Sequence, residues 1–395
     1  MISRRQFTER GSLLAASLLT IAPKSQAQLQ APGSLSDRIL RVGPGRAVQS
    51  LAQAARQAQP GQRIEVDAGN YVADVAIWAH DDIELRAVGG RVRLLAAGAA
   101  AEGKAIWVIR ANRMQAQGFD FEGCNVPGRN GAGIRFERGS LRLRDCSFTL
   151  NEMGLLTSND AQATLAIENC EFAHNMRPDG HNHNLYVGAI ARLSVTGSYF
   201  HHARVGHLLK SRAATNLVFY NRLTDESGGS ASYELEFPNG GVSYVVGNLI
   251  GQSAQTDNPL LISVGAEGYK WPRNELYVVN NTLVNLLPSG GDFLRVIPGA
   301  QETLAINNLL VGFGTVERSG LLDYRNNFSA ESSDFANLAA HDVRLTKNSG
   351  LLGRAIDAGS ANGLRLKPAR EYAHPRGTRG ISATKHNPGA MQSVA

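Results

Sequence analysis

Three consecutive stretches of the chain gather groups able to move protons and to neutralise negative charge. They are His183-Asn184-Leu185-Tyr186, His207-Leu208-Leu209-Lys210-Ser211-Arg212 and Tyr233-Glu234-Leu235-Glu236. Histidine titrates near pH ~6.5, so a neutral His183 or His207 suits a general base close to neutrality. Lys210 and Arg212 supply positive charge, and Tyr233 offers a phenolic proton. Such a set fits abstraction of a carbon-bound proton beside a carboxylate, with Arg212 or Lys210 neutralising that carboxylate. His181, Tyr186 and the run Tyr269-Lys270-Trp271 add the aromatic and cationic side chains that suit the walls of a sugar-binding groove.

Aligning these stretches with their neighbours gives Gly154-Leu155-Leu156-Thr157, Asn184-Leu185-Tyr186-Val187, His207-Leu208-Leu209-Lys210, Glu234-Leu235-Glu236-Phe237 and Leu261-Ile262-Ser263-Val264. Leu155, Leu185, Leu208, Leu235 and Ile262 then share an inward column. Strand alternation sends Asn184, His207 and Glu234 outward as a vertical file. The candidate catalytic residues are therefore His183, His207, Lys210, Arg212, Tyr233, Glu234 and Glu236. The candidate substrate contacts are His181, Asn184, Tyr186, Tyr269, Lys270 and Trp271. His174, His201 and His202 read as surface or turn histidines.

What must position these groups is a repeat. The triplets Cys146-Ser147-Phe148, Cys170-Glu171-Phe172, Ser198-Tyr199-Phe200, Asn221-Arg222-Leu223, Asn248-Leu249-Ile250, Asn281-Thr282-Leu283 and Asn308-Leu309-Leu310 recur at offsets of 24, 28, 23, 27, 33 and 27 residues. A period in the twenties without a helical or leucine-rich pattern predicts a β-solenoid with one coil per repeat. Stacked coils bring equivalent residues within ~4.8 Å, so an asparagine at one turn bonds its copies above and below. Cys146 and Cys170 fall in that column and are expected to be structural thiols. Arg46 to Gln59 carries Val48, Leu51, Ala52, Ala55 and Ala58 on one helical stripe, a cap for the open end of the solenoid.

The expected organisation is an N-terminal cap over residues 40–62, coils over 63–328 and an irregular C-terminal cap over 329–395. Residues 28–395 then make a single all-β domain. Ahead of it, Ser3-Arg4-Arg5-Gln6-Phe7, the apolar run Leu13 to Ala22 and Ser25-Gln26-Ala27 predict a twin-arginine export signal over 1–27, and hence a periplasmic or secreted protein. The chain holds 40 basic and 34 acidic residues, a net +6. Without the signal it holds 36 and 33, a net +3, which tolerates an acidic glycan without demanding one. No Lys/Arg run interleaved with aromatics argues for nucleic acid, and no apolar stretch approaches a membrane span. A monomer is expected.

Val42-Gly43-Pro44-Gly45, the capping helix, Pro60-Gly61-Gln62-Arg63-Ile64, Gly69-Asn70-Tyr71 and the asparagine-topped coils resemble the pectate-lyase-like superfamily of right-handed parallel β-helices. The resemblance covers nearly all of the chain after the signal. It implies that fold and action on a polysaccharide, and it leaves the reaction open because the fold hosts lyases, hydrolases, epimerases and non-enzymatic proteins. A lyase cleaving a uronate-containing anionic polysaccharide by β-elimination accounts for most of the cluster. A C5 epimerase would use the same groups. Glu234 and Glu236 alternatively pose as an inverting glycosidase pair, since residues two apart on a strand lie ~6.6 Å apart and inverting carboxylates ~6.5–9.5 Å. A non-catalytic carbohydrate-binding protein would keep the aromatics alone.

Glu234-Leu235-Glu236 is also similar to the Glu-x-Glu that helps to hold Ca²⁺ in some β-helix lyases, where Asn184 or Asn239 would complete the site. The lysine expected after that pair is replaced by Phe237-Pro238-Asn239-Gly240-Gly241, and the aspartate run of calcium-binding pectate lyases is absent.

Overall fold

Each coil contributes three short strands, and their registers follow the repeat. The computed structural model describes residues 39–177, 180, 182–382 and 386–395. The expected export signal over 1–27 and the expected substrate contact His181 lie outside them. Ten parallel strands, from Ala76–Trp78 to Thr315–Glu317, stack in sequence order as one sheet, here the groove sheet. Two further rows of strands, one from Arg113–Gln117 onward and one from Phe119–Glu122 onward, are joined by the long strands Arg63–Val72 and Ile83–Leu95 into a 21-stranded sheet.

The triplet columns are true stacks. Phe148 pairs with Phe121 and Phe172, Phe172 with Phe200, Phe200 with Leu223, and the column continues through Ile250, Leu283 and Leu310. Phe121, Phe148, Phe172 and Phe200 stack at 4.9, 4.5 and 4.8 Å, with rings within 8° of parallel. That spacing is the distance between neighbouring strands, so one aromatic per coil fills the interior without a void.

The corner beside this column holds the amide ladder. Asn221 N–H and Nδ2 donate to Asn248 Oδ1 at 2.8 and 3.1 Å, Asn248 repeats the pattern onto Asn281, Asn281 onto Asn308, and Asn308 onto Asn327. Each Nδ2 also donates to a carbonyl of the coil below, such as Asn248 to Val218 O. The ladder thereby satisfies buried corner groups that water cannot reach. Cys146 and Cys170 occupy its first steps as buried free thiols.

Two sequence expectations change. The N-terminal helix is Leu51–Gln57, shorter than the Arg46–Gln59 stripe, because Ser50 caps it and Asp74 accepts the Leu51 and Ala52 N–H groups. Residues before Ser50 turn instead, with Val48 bridging Val42. The C-terminal segment is not a far cap: it runs back along the solenoid. Phe335, Val343, Leu345 and Leu351 pack on Leu249, Val284, Leu309 and Val311. Ala358, Ala361 and Leu366 then pack on Val242, Tyr244, Val246, Tyr277 and Val279, and Gly377 N–H donates to Gly197 O. These outward positions are apolar and need cover. The tail thus covers the outer faces of two rows over their later coils and leaves the groove sheet to its polar side chains.

Candidate functional site

The groove sheet pairs Leu155 with Leu185, Leu185 with Leu209, Leu209 with Leu235 and Leu235 with Ile262. Leu209, not Leu208, therefore belongs to the inward column. Leu208 sits one place earlier, level with Asn184, Glu234 and Leu261. Each strand opens at a bend, so this earlier position also faces the interior: Leu208 and Leu261 lie in the main core, and Asn184 and Glu234 have no exposed surface. The outward files are instead His183, His207, Tyr233 and, three residues on, Tyr186, Lys210, Glu236.

Asn184 and Glu234 consequently leave the groove. Asn184 accepts from Asn175 Nδ2 at 2.8 Å and donates to His201 O at 2.9 Å, tying a second amide corner. Glu234 meets no hydrogen-bond partner among the described residues. Burial, reinforced by nearby Asp225, pushes its carboxyl well above the usual carboxylate range. Burial pushes Asp225 up to about 7. With Glu234 inside and Glu236 outside, the two carboxylates cannot flank one glycosidic bond, and they cannot share one Ca²⁺.

The remaining groups form one connected set. His207 Nδ1 lies 3.2 Å from Glu236 Oε2, and Lys210 Nζ lies 2.8 Å from the same oxygen. Lys210 also donates to Glu267 Oε1 at 3.0 Å. Arg212 grips Glu267 bidentately at 2.6 and 2.9 Å and donates through Nε to Tyr186 Oη at 2.9 Å. The His183 ring sits 5.3 Å from Tyr186 and 4.5 Å from His207, and Tyr233 lies edge-on to His207 at 4.7 Å.

Protonation follows from these contacts. Burial lowers the His207 pKa below 6.5, outweighing the opposing pull of Glu236, so the imidazole is neutral near pH 7. Nδ1 faces the Glu236 carboxylate at 3.2 Å without completing a hydrogen bond, and Nε2 lies on the other side of the ring. The His207 backbone N–H donates to His183 Nδ1 at 3.1 Å, which places the proton of neutral His183 on Nε2. His183 thus presents an N–H able to donate beside the neutral His207 imidazole. Burial disfavours the Glu236 carboxylate, but His207 and Lys210 outweigh it and hold the group below its usual range.

The loop after Val264 closes over this set. Glu267, close in sequence to the expected contacts Tyr269, Lys270 and Trp271, is held down to about 2 chiefly by Arg212. Its signal was available only as an acidic residue in an insertion between coils. Tyr269, expected to contact substrate, is half-buried, donates to Ile297 O and lies against Gly240 and Gly299; it anchors the loop. Trp271 Nε1 donates to Arg212 O at 3.0 Å, Asn239 accepts from Arg212, and Lys270 is exposed.

No protein-family model and no curated protein sequence matches the chain. Among solved structures, a crystal structure of pectate lyase Pel9A superposes with a TM-score of 0.61 at 13% identity, covering 90% of this chain and 96% of that one. A pectin methylesterase mutant in complex with a hexasaccharide aligns at a TM-score of 0.34 and 11% identity, over 74% of this chain and 89% of that one, too loosely to carry an argument. Among the described residues no helix is long and apolar enough to cross a membrane. The parallel coils, their register and the superposition agree: this chain has a right-handed parallel β-helix fold like that of the pectate lyase.

Proposed function

We propose that the chain is an exported polysaccharide lyase that cleaves a uronate-containing polymer by β-elimination. The observation that carries this reading is the neutral His207, set 3.2 Å from Glu236 and beside two cations, Lys210 and Arg212, on a sheet face that the tail does not cover. His207 Nε2 takes the proton from C5 of the uronate, and the C–H electrons form a C4–C5 double bond. The C4–O bond breaks, and the leaving oxygen takes a proton from Tyr233 or His183 Nε2. Arg212 and Lys210 neutralise the substrate carboxylate, whose charge grows as the proton leaves. The fold shared with a protein named as a pectate lyase supports a glycan substrate, and the arginine pair near the N-terminus supports export.

Incubation of the purified protein with a panel of uronate polymers tests the reading through the ultraviolet absorbance of the unsaturated product. A rise that disappears in His207→Gln is expected. New reducing ends without absorbance, or binding without turnover, would replace the lyase with a hydrolase or a binding protein.

A further inference from the structure

Three more imidazoles meet at the corner that leads from the third row of strands into the groove sheet. His174 and His202 follow the strands Glu171–Ala173 and Tyr199–His201 of consecutive coils, and they occupy equivalent places because Ala173 pairs with His201. Both adopt left-handed backbone, with φ of 54° and 47°. His174 N–H donates to His202 O, and their rings stack 4.4 Å apart. His201, only 8% exposed, stands at 85° to His174 and 76° to His202.

One ring nitrogen from each of the three lies within 4.8 Å of the other two. His201 Nδ1 and His202 Nδ1 are 2.5 Å apart, while His201 Nε2 lies 3.2 Å from Glu171 Oε1. Two lone pairs that close repel unless a proton or a cation sits between them. A carboxylate on the far nitrogen of one imidazole is the usual outer partner of a metal-bound histidine, fixing its tautomer.

We propose that His174, His201 and His202 bind a divalent transition-metal ion of the Zn²⁺ class, with Glu171 orienting His201. Nitrogen donors alone favour such an ion over Ca²⁺ or Mg²⁺, which take oxygen ligands. Zinc–nitrogen bonds of ~2.0–2.1 Å in a tetrahedron separate the donors by ~3.3 Å, so the His201–His202 gap opens by less than an ångström on binding. A fourth position is left for water. The ion would clip two coils together just before the strands that carry His183 and His207, but it touches none of the groove residues.

Calorimetric titration of tag-free, chelator-stripped protein with Zn²⁺ alone tests this. One ion per chain is expected, with a thermal midpoint raised by several degrees, and Co²⁺ should give the visible bands of tetrahedral nitrogen coordination. His174→Asn and His202→Asn keep a residue that tolerates left-handed backbone. Each should weaken Zn²⁺ binding well over tenfold, and Glu171→Gln should weaken it about 10–100-fold. No uptake by the parent protein, or unchanged affinity in the double variant His174→Asn/His202→Asn, would overturn the site. Metal-free variants that melt with the parent show that the loss is in binding and not in folding.

Discussion

His207 and Glu234 are both buried ionisable groups one coil apart, yet burial assigns them different tasks. His207 opens outward to Glu236 and Lys210, whereas Glu234 faces leucines on both neighbouring coils. His207→Gln should lower kcat by ~10²–10⁴-fold with little change in melting temperature, since it removes a base and no core contact. Because the folded imidazole binds its proton less readily than a free one, kcat/KM should stay flat through pH ~6.5 and fall only at a lower pH, where the folded group takes up its proton. Stability should begin to fall at the higher pH, from about 6.5 downward, since the unfolded chain takes up a proton that the folded chain still refuses.

Glu234 has the opposite linkage. Its folded carboxyl keeps a proton that the unfolded chain releases near pH 4.5, so its presence costs stability increasingly as pH rises above that value. Glu234→Leu, matching Leu208 and Leu261, should stabilise the protein by ~1–3 kcal/mol at pH 8 and keep its activity. Melting curves at pH 5 and pH 8 read this directly, and a lost activity would return Glu234 to the mechanism. Glu267 offers Arg212 and Lys210 a carboxylate in the place we assign to the substrate's. Glu267→Gln should therefore lower KM for a uronate polymer several-fold while leaving kcat nearly unchanged; a raised KM would make Glu267 a positioning residue instead.

At the scale of elements, the amide ladder and the groove strands differ in how plainly they were written. Asparagine recurring before an apolar residue at one coil per repeat has one consistent alignment, and the observed pairing follows it from Cys146 to Asn308. The groove strand His207–Ser211 contains Leu208 and Leu209 side by side, so hydrophobicity alone permits two registers, and a slip of one residue exchanges the faces. Only the bend at the strand start, which turns two successive residues inward, chooses between them. That choice removed Asn184 and Glu234 from the groove and brought His183 into file with His207. The ladder itself is testable: Asn248→Ala leaves Asn221 N–H and Val218 O short of partners in the interior. It should cost ~2–4 kcal/mol in chemical denaturation, against about 1 kcal/mol for Asn327→Ala at the partly exposed last step.

Across the whole molecule, the tail decides which face is available. Residues 335–366 lie over Tyr244, Val246, Tyr277, Val279, Leu309 and Val311. A chain ended at residue 330 should expose this apolar surface and associate, seen as large species in light scattering. A monodisperse, fully active truncation would show the tail to be dispensable. The amino-acid sequence by itself determined the coil repeat, the corner amides, the stacked phenylalanines and the polar character of three coils, because each is a local pattern repeated along one axis. The tertiary structure alone decided which polar residues share a face, that Glu267 from the loop after Val264 completes the set, and that three histidines of two coils converge. Those facts depend on strand register and on loops folding back across coils, where a shift of one residue reverses a side chain and no local preference prevents it.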